Sequence, residues 1–328
     1  MIIVWRCTSL TRSLLCCCVG ALICSGAFAA DGRIAPDIDV IFGEFVPGRQ
    51  PDGNSILIRG PEGLIVVDTG RHVQHTQQII DFARQANLPI VAIINSHWHL
   101  DHIGGDARIR ASYPDLQIYA SDALKEAIGG FLLKYGKYLV SAIQKSPDDP
   151  QARAWRDELA IIDTASIALP TEVITKSVSL TIAGRQLILH LETNTVTGGD
   201  VWVFDPATRV LIAGDLVTLP VPFLDTACPK HWKRALRHLQ DANFKILIPG
   251  HGAPMRRREF DGYLRAYDNL LKCAGGSQSK EQCADGWVHG VGNLLADDDR
   301  SYAKTLMASY VESSLRANSA TIAKLCGD

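Results

Sequence analysis

An excess of charge of either sign is missing from this sequence. Its 328 residues carry 33 basic and 35 acidic side chains, a formal net charge of −2. Binding a nucleic-acid duplex takes a cationic surface that displaces phosphate counterions, so no nucleic-acid partner is expected. Internal repeats and low-complexity tracts are also lacking, which argues against fibrous and disordered chains. No CxxC pair occurs, which leaves no basis for a thiolate zinc knuckle. Beyond residue 30 no stretch is long and apolar enough to cross a bilayer, so no stable membrane association is expected once a leader is removed. Aromatic residues make up only 7% of the chain, whereas 47% is hydrophobic and 21% charged. That balance fits a globular protein with a sizeable core, in one large domain or two small ones.

The first thirty residues read as a targeting segment. Arg6 and Arg12 form a basic start, Ser13 to Ala29 is uncharged and mostly apolar, and Ala27-Phe28-Ala29 offers small residues at the two positions a signal peptidase reads. A signal peptide over residues 1–29, cleaved after Ala29, is therefore expected, with a periplasmic or secreted product. An uncleaved anchor fits less well, because Gly20, Ser25 and Gly26 interrupt a run already short for a span. Ile23 before Cys24 lacks the small residue that lipid attachment needs.

Cleavage removes Cys7, Cys16, Cys17, Cys18 and Cys24 and leaves Cys228, Cys273, Cys283 and Cys326, an even number in an oxidising compartment. Cys273 and Cys283 flank the polar stretch GGSQSKEQ and are expected to staple a helix hairpin. Cys228 with Cys326 follows by elimination, and free thiols are the alternative.

Short β-branched runs at Ile38–Phe45, Ser55–Arg59 and Leu64–Val67, separated by Gly and Pro, read as a strand meander. Thr76–Gln85 has helical spacing, and Ile90–Ile94 is a buried strand ending at Asn95-Ser96. A strand ends at Tyr119-Ala120. Helices follow at Ala123–Ile128 and Phe131–Ile143, with Gly129-Gly130 expected to interrupt them. The second half repeats the order: strands at Ser177–Ile182, Arg185–Leu191, Val201–Phe204 and Val210–Ala213, a helix at Trp232–Leu239 and a strand at Ile246–Ile248. From about Arg257 the pattern is helical, with a break expected from Gly275 to Asp299. Two halves of strands followed by helices suggest an α/β chain with two packed sheets and helices outside, a four-layer αβ/βα sandwich.

The chemistry concentrates in Ser96-His97-Trp98-His99-Leu100-Asp101-His102, directly after the strand Ile90–Ile94. Three imidazoles and a carboxylate so close together are costly to bury for packing alone. Imidazole nitrogen and carboxylate oxygen are ligands that zinc takes. In an extended chain His97, His99 and Asp101 point the same way. Trp98 and Leu100 alternate with them and read as core.

The order of Asp68-Thr69-Gly70, then His97-x-His99-x-Asp101-His102-x-Gly104-Gly105, then Gly214-Asp215, then Pro249-Gly250-His251-Gly252 resembles the metallo-β-lactamase-fold hydrolases. The likeness runs from about Ile38 to Tyr263. It implies a metallo-β-lactamase-like domain over residues 30–263, with a helical C-terminal extension at 264–328 packed on it. It further implies that Asp101, His102 and His251 bind one zinc, that His97 and His99 bind another, and that Asp215 bridges the two. Asp68 would orient a ligand histidine. The catalytic set implied is Asp101 with His97 and His99, acting on a small-molecule substrate through a metal-bound hydroxide. Oligomeric state is left open.

One motif departs from the pattern. Where the family reads His-Thr-x-Gly-Asp, this chain reads Val196-Thr197-Gly198-Gly199-Asp200, and valine cannot ligate zinc. The second-metal site keeps its ligands, whereas the first loses one of three imidazoles, so a one-metal state is expected in dilute zinc. His190 or Glu192 could substitute. His72 and His75 read as solvated surface histidines, and Leu219–Asp225 as a pocket wall or hinge. The expected activity is an exported zinc-dependent hydrolase of an ester, lactone, lactam or phosphodiester-type bond. The alternatives are a mononuclear or diiron redox enzyme of the same fold and a catalytically decayed metal-binding protein. The diiron members carry glutamate where His99 stands, and the mononuclear iron members need the histidine that Val196 replaces.

Overall fold

A computed structural model describes residues 32–45, 49–162 and 167–327. The expected signal peptide and its five cysteines lie outside the described residues.

The first half contributes seven strands: β1 (Arg33–Ala35), β2 (Ile38–Ile41), β3 (Ser55–Gly60), β4 (Gly63–Val67), β5 (Ile90–Ile94), β6 (Gln117–Ser121) and β7 (Glu172–Ile174). They form one sheet in chain order, antiparallel from β1 to β4 and parallel from β4 to β7. Its helices are α1 (Val73–Gln85), α2 (Leu100–Ile103), α3 (Asp106–Ser112), α4 (Ala123–Ala127), α5 (Leu133–Lys145) and α6 (Ala152–Ile162). The second sheet contains β8 (Val178–Ile182), β9 (Arg185–Thr193), β10 (Gly199–Asp205), β11 (Val210–Ile212), β12 (Ile246–Ile248) and β13 (Met255–Arg256), in the order β13-β12-β11-β10-β9-β8. Helices α7 (Pro229–Asp241), α8 (Arg257–Ala274), α9 (Lys280–Val291), α10 (Asp299–Tyr310) and α11 (Ser319–Cys326) complete the chain.

The period of two along each strand builds the layers. Ile56, Ile58, Ile65, Val67, Ala92 and Ile94 meet Leu187, Leu189, Val201, Val203, Ile212 and Ile248 between the sheets. The alternate residues Leu57, Leu64, Val66 and Ile93 turn outward onto Ile79, Ile80 and Ala83 of α1. Likewise Trp202, Leu211 and Leu247 turn out onto α7, α8, α9 and α10. Helix, sheet, sheet, helix is the four-layer sandwich. The C-terminal helices share that last core, with Tyr267, Trp287 and Met307 fully buried in it. Helix α8 runs unbroken through positions 263 and 264.

Three local expectations are corrected. The strand expected over Ile38–Phe45 ends at Ile41. Gly129-Gly130 does not break the helix, because a π-turn at Ile128–Leu132 carries it from α4 into α5. The stretch Gly275 to Asp299 contains the twelve-residue α9. Ser279 caps α9, accepting from the Gln282 amide, and Cys283, Ala284, Trp287 and Val291 form a buried stripe at helical spacing. Glycine and aspartate on its other face hide that stripe from a composition reading. Cysteines 273 and 283 lie at disulfide distance, as do Cys228 and Cys326.

Candidate metal centre

Strand ends deliver the site. Because β4 pairs parallel with β5, and β11 with β12, their C-terminal ends open at one edge of the sandwich. Asp68 follows β4, His97 follows β5, Asp215 follows β11 and His251 follows β12. The backbone is pressed tight here. A Cβ at Gly250 would stand 2.1 Å from Asp215 Oδ1, and one at Gly53 would stand 2.5 Å from the His102 ring. Only glycine permits either approach.

The six expected side chains come together in two groups. In one, a ring nitrogen each of His97 and His99 and a carboxylate oxygen of Asp215 lie within 4.8 Å of one another; in the other, so do one such atom each of Asp101, His102 and His251. His251 Nε2 is 3.1 Å from Asp101 Oδ2 and 3.3 Å from His102 Nε2. Asp215 lies between the groups, with Oδ1 3.3 Å from His102 Nε2 and Oδ2 3.7 Å from His97 Nε2.

Hydrogen bonds behind the ring orient two of the imidazoles. Asp68 accepts from the Ser96 amide and hydroxyl at 2.7 Å each and from His102 Nδ1 at 2.8 Å. Ser96 Oγ gives its proton to Asp68, so it accepts from His97 Nδ1 at 2.9 Å. Both rings thereby turn Nε2 into the cleft. His97 Nε2 and both Asp215 carboxylate oxygens are buried without a hydrogen-bond partner. Buried polar atoms are rarely left so. A cation is the partner that oxygen and bare imidazole nitrogen share, and this donor set fits one.

The electrostatics agree. Burial, with the neighbouring His102 and His99, holds His97 well below the usual imidazole range. Burial acts to raise Asp101, yet His102 and His251 hold its carboxyl well below the usual carboxylate range. Burial likewise opposes charge on His102, but Asp215, Asp68 and Asp101 around it raise it well above the usual imidazole value. Three buried carboxylates thus call for positive charge at this point.

Sequence reasoning overlooked several contributors. Arg71 lies 3.4 Å from Asp101 Oδ1 and pairs with buried Glu158, which also accepts from Tyr135 Oη at 2.7 Å. Arg71 directly follows Asp68-Thr69-Gly70, the one local hint. Phe45 and Phe223 place their rings 5.4 and 5.5 Å from that of His251, so Phe223 of the Leu219–Asp225 segment does wall the site. Neither candidate substitute for the missing histidine joins the groups. His190 stacks on Trp202 at 3.7 Å, and Glu192 accepts from His238 Nδ1 at 2.8 Å on the outer face of the second sheet. His75 is buried on Ser55 Oγ at 2.8 Å, not a solvated surface residue. His72 bonds Asp52, whose carboxyl is pulled down to about 2, against its burial, by hydrogen bonds from His72 and Arg71.

The family profile of the metallo-beta-lactamase superfamily matches residues 48–251. The chain belongs to the metallo-beta-lactamase superfamily. Among its relatives, a linear primary-alkylsulfatase of a Pseudomonas species is 27% identical over 228 residues, 62% of this chain and 42% of that protein. A hydroxyacylglutathione hydrolase of Haemophilus ducreyi is 38% identical over 83 residues, 25% of this chain and 33% of that protein. The chain thus spans under half the length of these relatives. Solved metallo-beta-lactamases share the fold. That of Pontibacter korlensis has a TM-score of 0.54 at 19% identity, covering 72% of this chain and 97% of its own. That of Hirschia baltica has a TM-score of 0.51 at 17% identity, covering 70% and 93%. This superfamily hosts many reactions, so the fold alone leaves the substrate open.

Proposed function

We propose that this superfamily member is an exported zinc-dependent hydrolase acting on an ester, lactone, lactam or phosphodiester-type bond of a small molecule. His97, His99 and Asp215 would hold one ion, and Asp101, His102 and His251 a second, with Asp215 facing both. The observation that carries this reading is the pair of buried donor groups meeting at Asp215, whose carboxylate oxygens have no hydrogen-bond partner. Zinc in such a site supplies a Lewis acid and lowers the pKa of a water to about 7.

The chain's own residues do the rest. Asp68 and Ser96 hold His102 and His97 in register, and Arg71 restrains one oxygen of Asp101 so that the other faces His251. Phe45 and Phe223 wall the His251 side against water. Val196 offers no third imidazole, which supports weaker holding of the ion at His97 and His99 and a one-ion state in dilute zinc. Sulfate and thioester substrates come first for testing, because the relatives include an alkylsulfatase and a hydroxyacylglutathione hydrolase. Lactones, lactams and phosphodiesters follow. Two cysteine pairs at disulfide distance support a periplasmic or secreted location. Among the described residues no helix is long and apolar enough to cross a membrane.

The test is metal quantitation on the purified protein followed by a hydrolysis screen before and after chelation. One or two zinc ions per chain and a chelator-sensitive turnover are expected. Two irons with oxygen consumption would overturn the reading in favour of redox chemistry. Stoichiometric zinc without turnover of any ester, lactam or phosphodiester would mark a decayed site.

A further inference from the structure

We propose that Thr226 is a positioning residue that holds His99 in the tautomer protonated at Nε2 and turns its Nδ1 to the position shared with His97 and Asp215. The proposal deepens the metal reading above and rests on it for the identity of what Nδ1 meets.

The count of protons around Thr226 fixes the tautomer of His99. Thr226 Oγ1 lies 2.9 Å from the Val196 carbonyl and 3.0 Å from His99 Nε2. A carbonyl has no proton to give, so the single hydroxyl proton of Thr226 goes to Val196. The hydroxyl can then only accept from His99, which requires the proton on Nε2. A neutral imidazole carries one N–H, so Nδ1 is the bare nitrogen. His97 is set the opposite way, with Nδ1 on Ser96 and Nε2 bare. The two rings therefore offer different nitrogens.

The surrounding chain explains why residue 226 takes this part. The Val196 side chain is fully buried in the outer core with Ala227 and Trp232, so at this position only its backbone faces His99's neighbour. The Cys228 amide donates to the Thr195 carbonyl at 2.8 Å, stitching residues 226–228 to residues 195–196. Cys228 is also at disulfide distance from Cys326 of α11, which ties the segment to the C-terminal helices. At residue 196 the chain thus contributes a backbone carbonyl that fixes the Thr226 hydroxyl behind His99.

The experiment compares wild type with Thr226→Val and Thr226→Ser. Long-range nitrogen–proton NMR on the metal-free protein reads the His99 tautomer, and zinc titration against a competing chelator reads each ion. Wild type and Thr226→Ser should show protonated Nε2. Thr226→Val should admit protonated Nδ1 and weaken the ion at His97 and His99 by about 10–100-fold, leaving the other ion unchanged. A wild-type His99 protonated at Nδ1, an unchanged tautomer in Thr226→Val, or a serine variant as impaired as the valine one would each overturn the proposal. A wild type that binds no ion would sink the metal reading instead, and the tautomer measurement would still decide this one.

Discussion

Asp68 Oδ2 stands 2.8 Å from His102 Nδ1, and the same carboxylate takes both the amide and the hydroxyl of Ser96. Asp68 adopts a left-handed backbone, φ 61°, which costs a non-glycine residue about 1–2 kcal/mol. The three hydrogen bonds offset that cost and couple the histidine loop to the end of β4. Asp68→Asn replaces an acceptor oxygen with a donor and leaves one of these protons unmatched. Zinc affinity should fall about 10–100-fold in chelator competition, with the circular dichroism spectrum unchanged.

Arg71 links Asp101 to the α5–α6 pair through Glu158. Removing the guanidinium strands Glu158, only 6% exposed, without its counter-charge. Arg71→Met should therefore destabilise the protein by about 3–5 kcal/mol in urea unfolding. Adding Glu158→Gln should return most of that loss. A double variant no more stable than Arg71→Met would show that the pair is not the cause.

Asp106 gives stability a pH dependence. Its carboxyl is buried on Thr69 Oγ1 at 2.7 Å, and burial pushes it up to about 8. The folded state therefore holds a proton that the unfolded state releases near its ordinary value of 3.8. Its contribution is full below that value and is lost as pH rises toward 8, at up to about 1.4 kcal/mol per unit. Asp106→Asn should flatten the melting temperature between pH 5 and 8. An equally steep wild-type and variant profile would exclude this carboxyl as the source.

The two cysteine pairs close loops of different size, with sequence separations of 98 and 10. Chain entropy makes the longer loop the more stabilising, by about 2 kcal/mol. Cys228→Ala with Cys326→Ala should therefore lower stability more than Cys273→Ala with Cys283→Ala. Thermal melts of the two double variants measure it.

Much of the fold was legible because strand patterning is local. The β-branched runs of β3, β4 and β5, bounded by Gly, Pro and polar residues, are local features that marked the strands, whereas which residues face which layer came from the packing. Helix α9 escaped because its buried stripe is set among Gly286, Gly290 and Asp285, and only packing against α8 and α10 makes that stripe count. His75 read as surface because nothing near it in the chain reveals Ser55.

The grouping of His97, His99, Asp101 and His102 directly after β5, and the order in which Asp215 and His251 follow, needed only the sequence, since a cluster of donor side chains in one loop is a contiguous pattern. What stands behind His99, and what Arg71 pairs with, needed the tertiary structure. Thr226 lies thirty residues beyond Val196 in the chain, and Glu158 is remote from Arg71. Such partners meet only when two sheets close on each other, because hydrogen bonds and ion pairs depend on distance in space and leave no period along the chain.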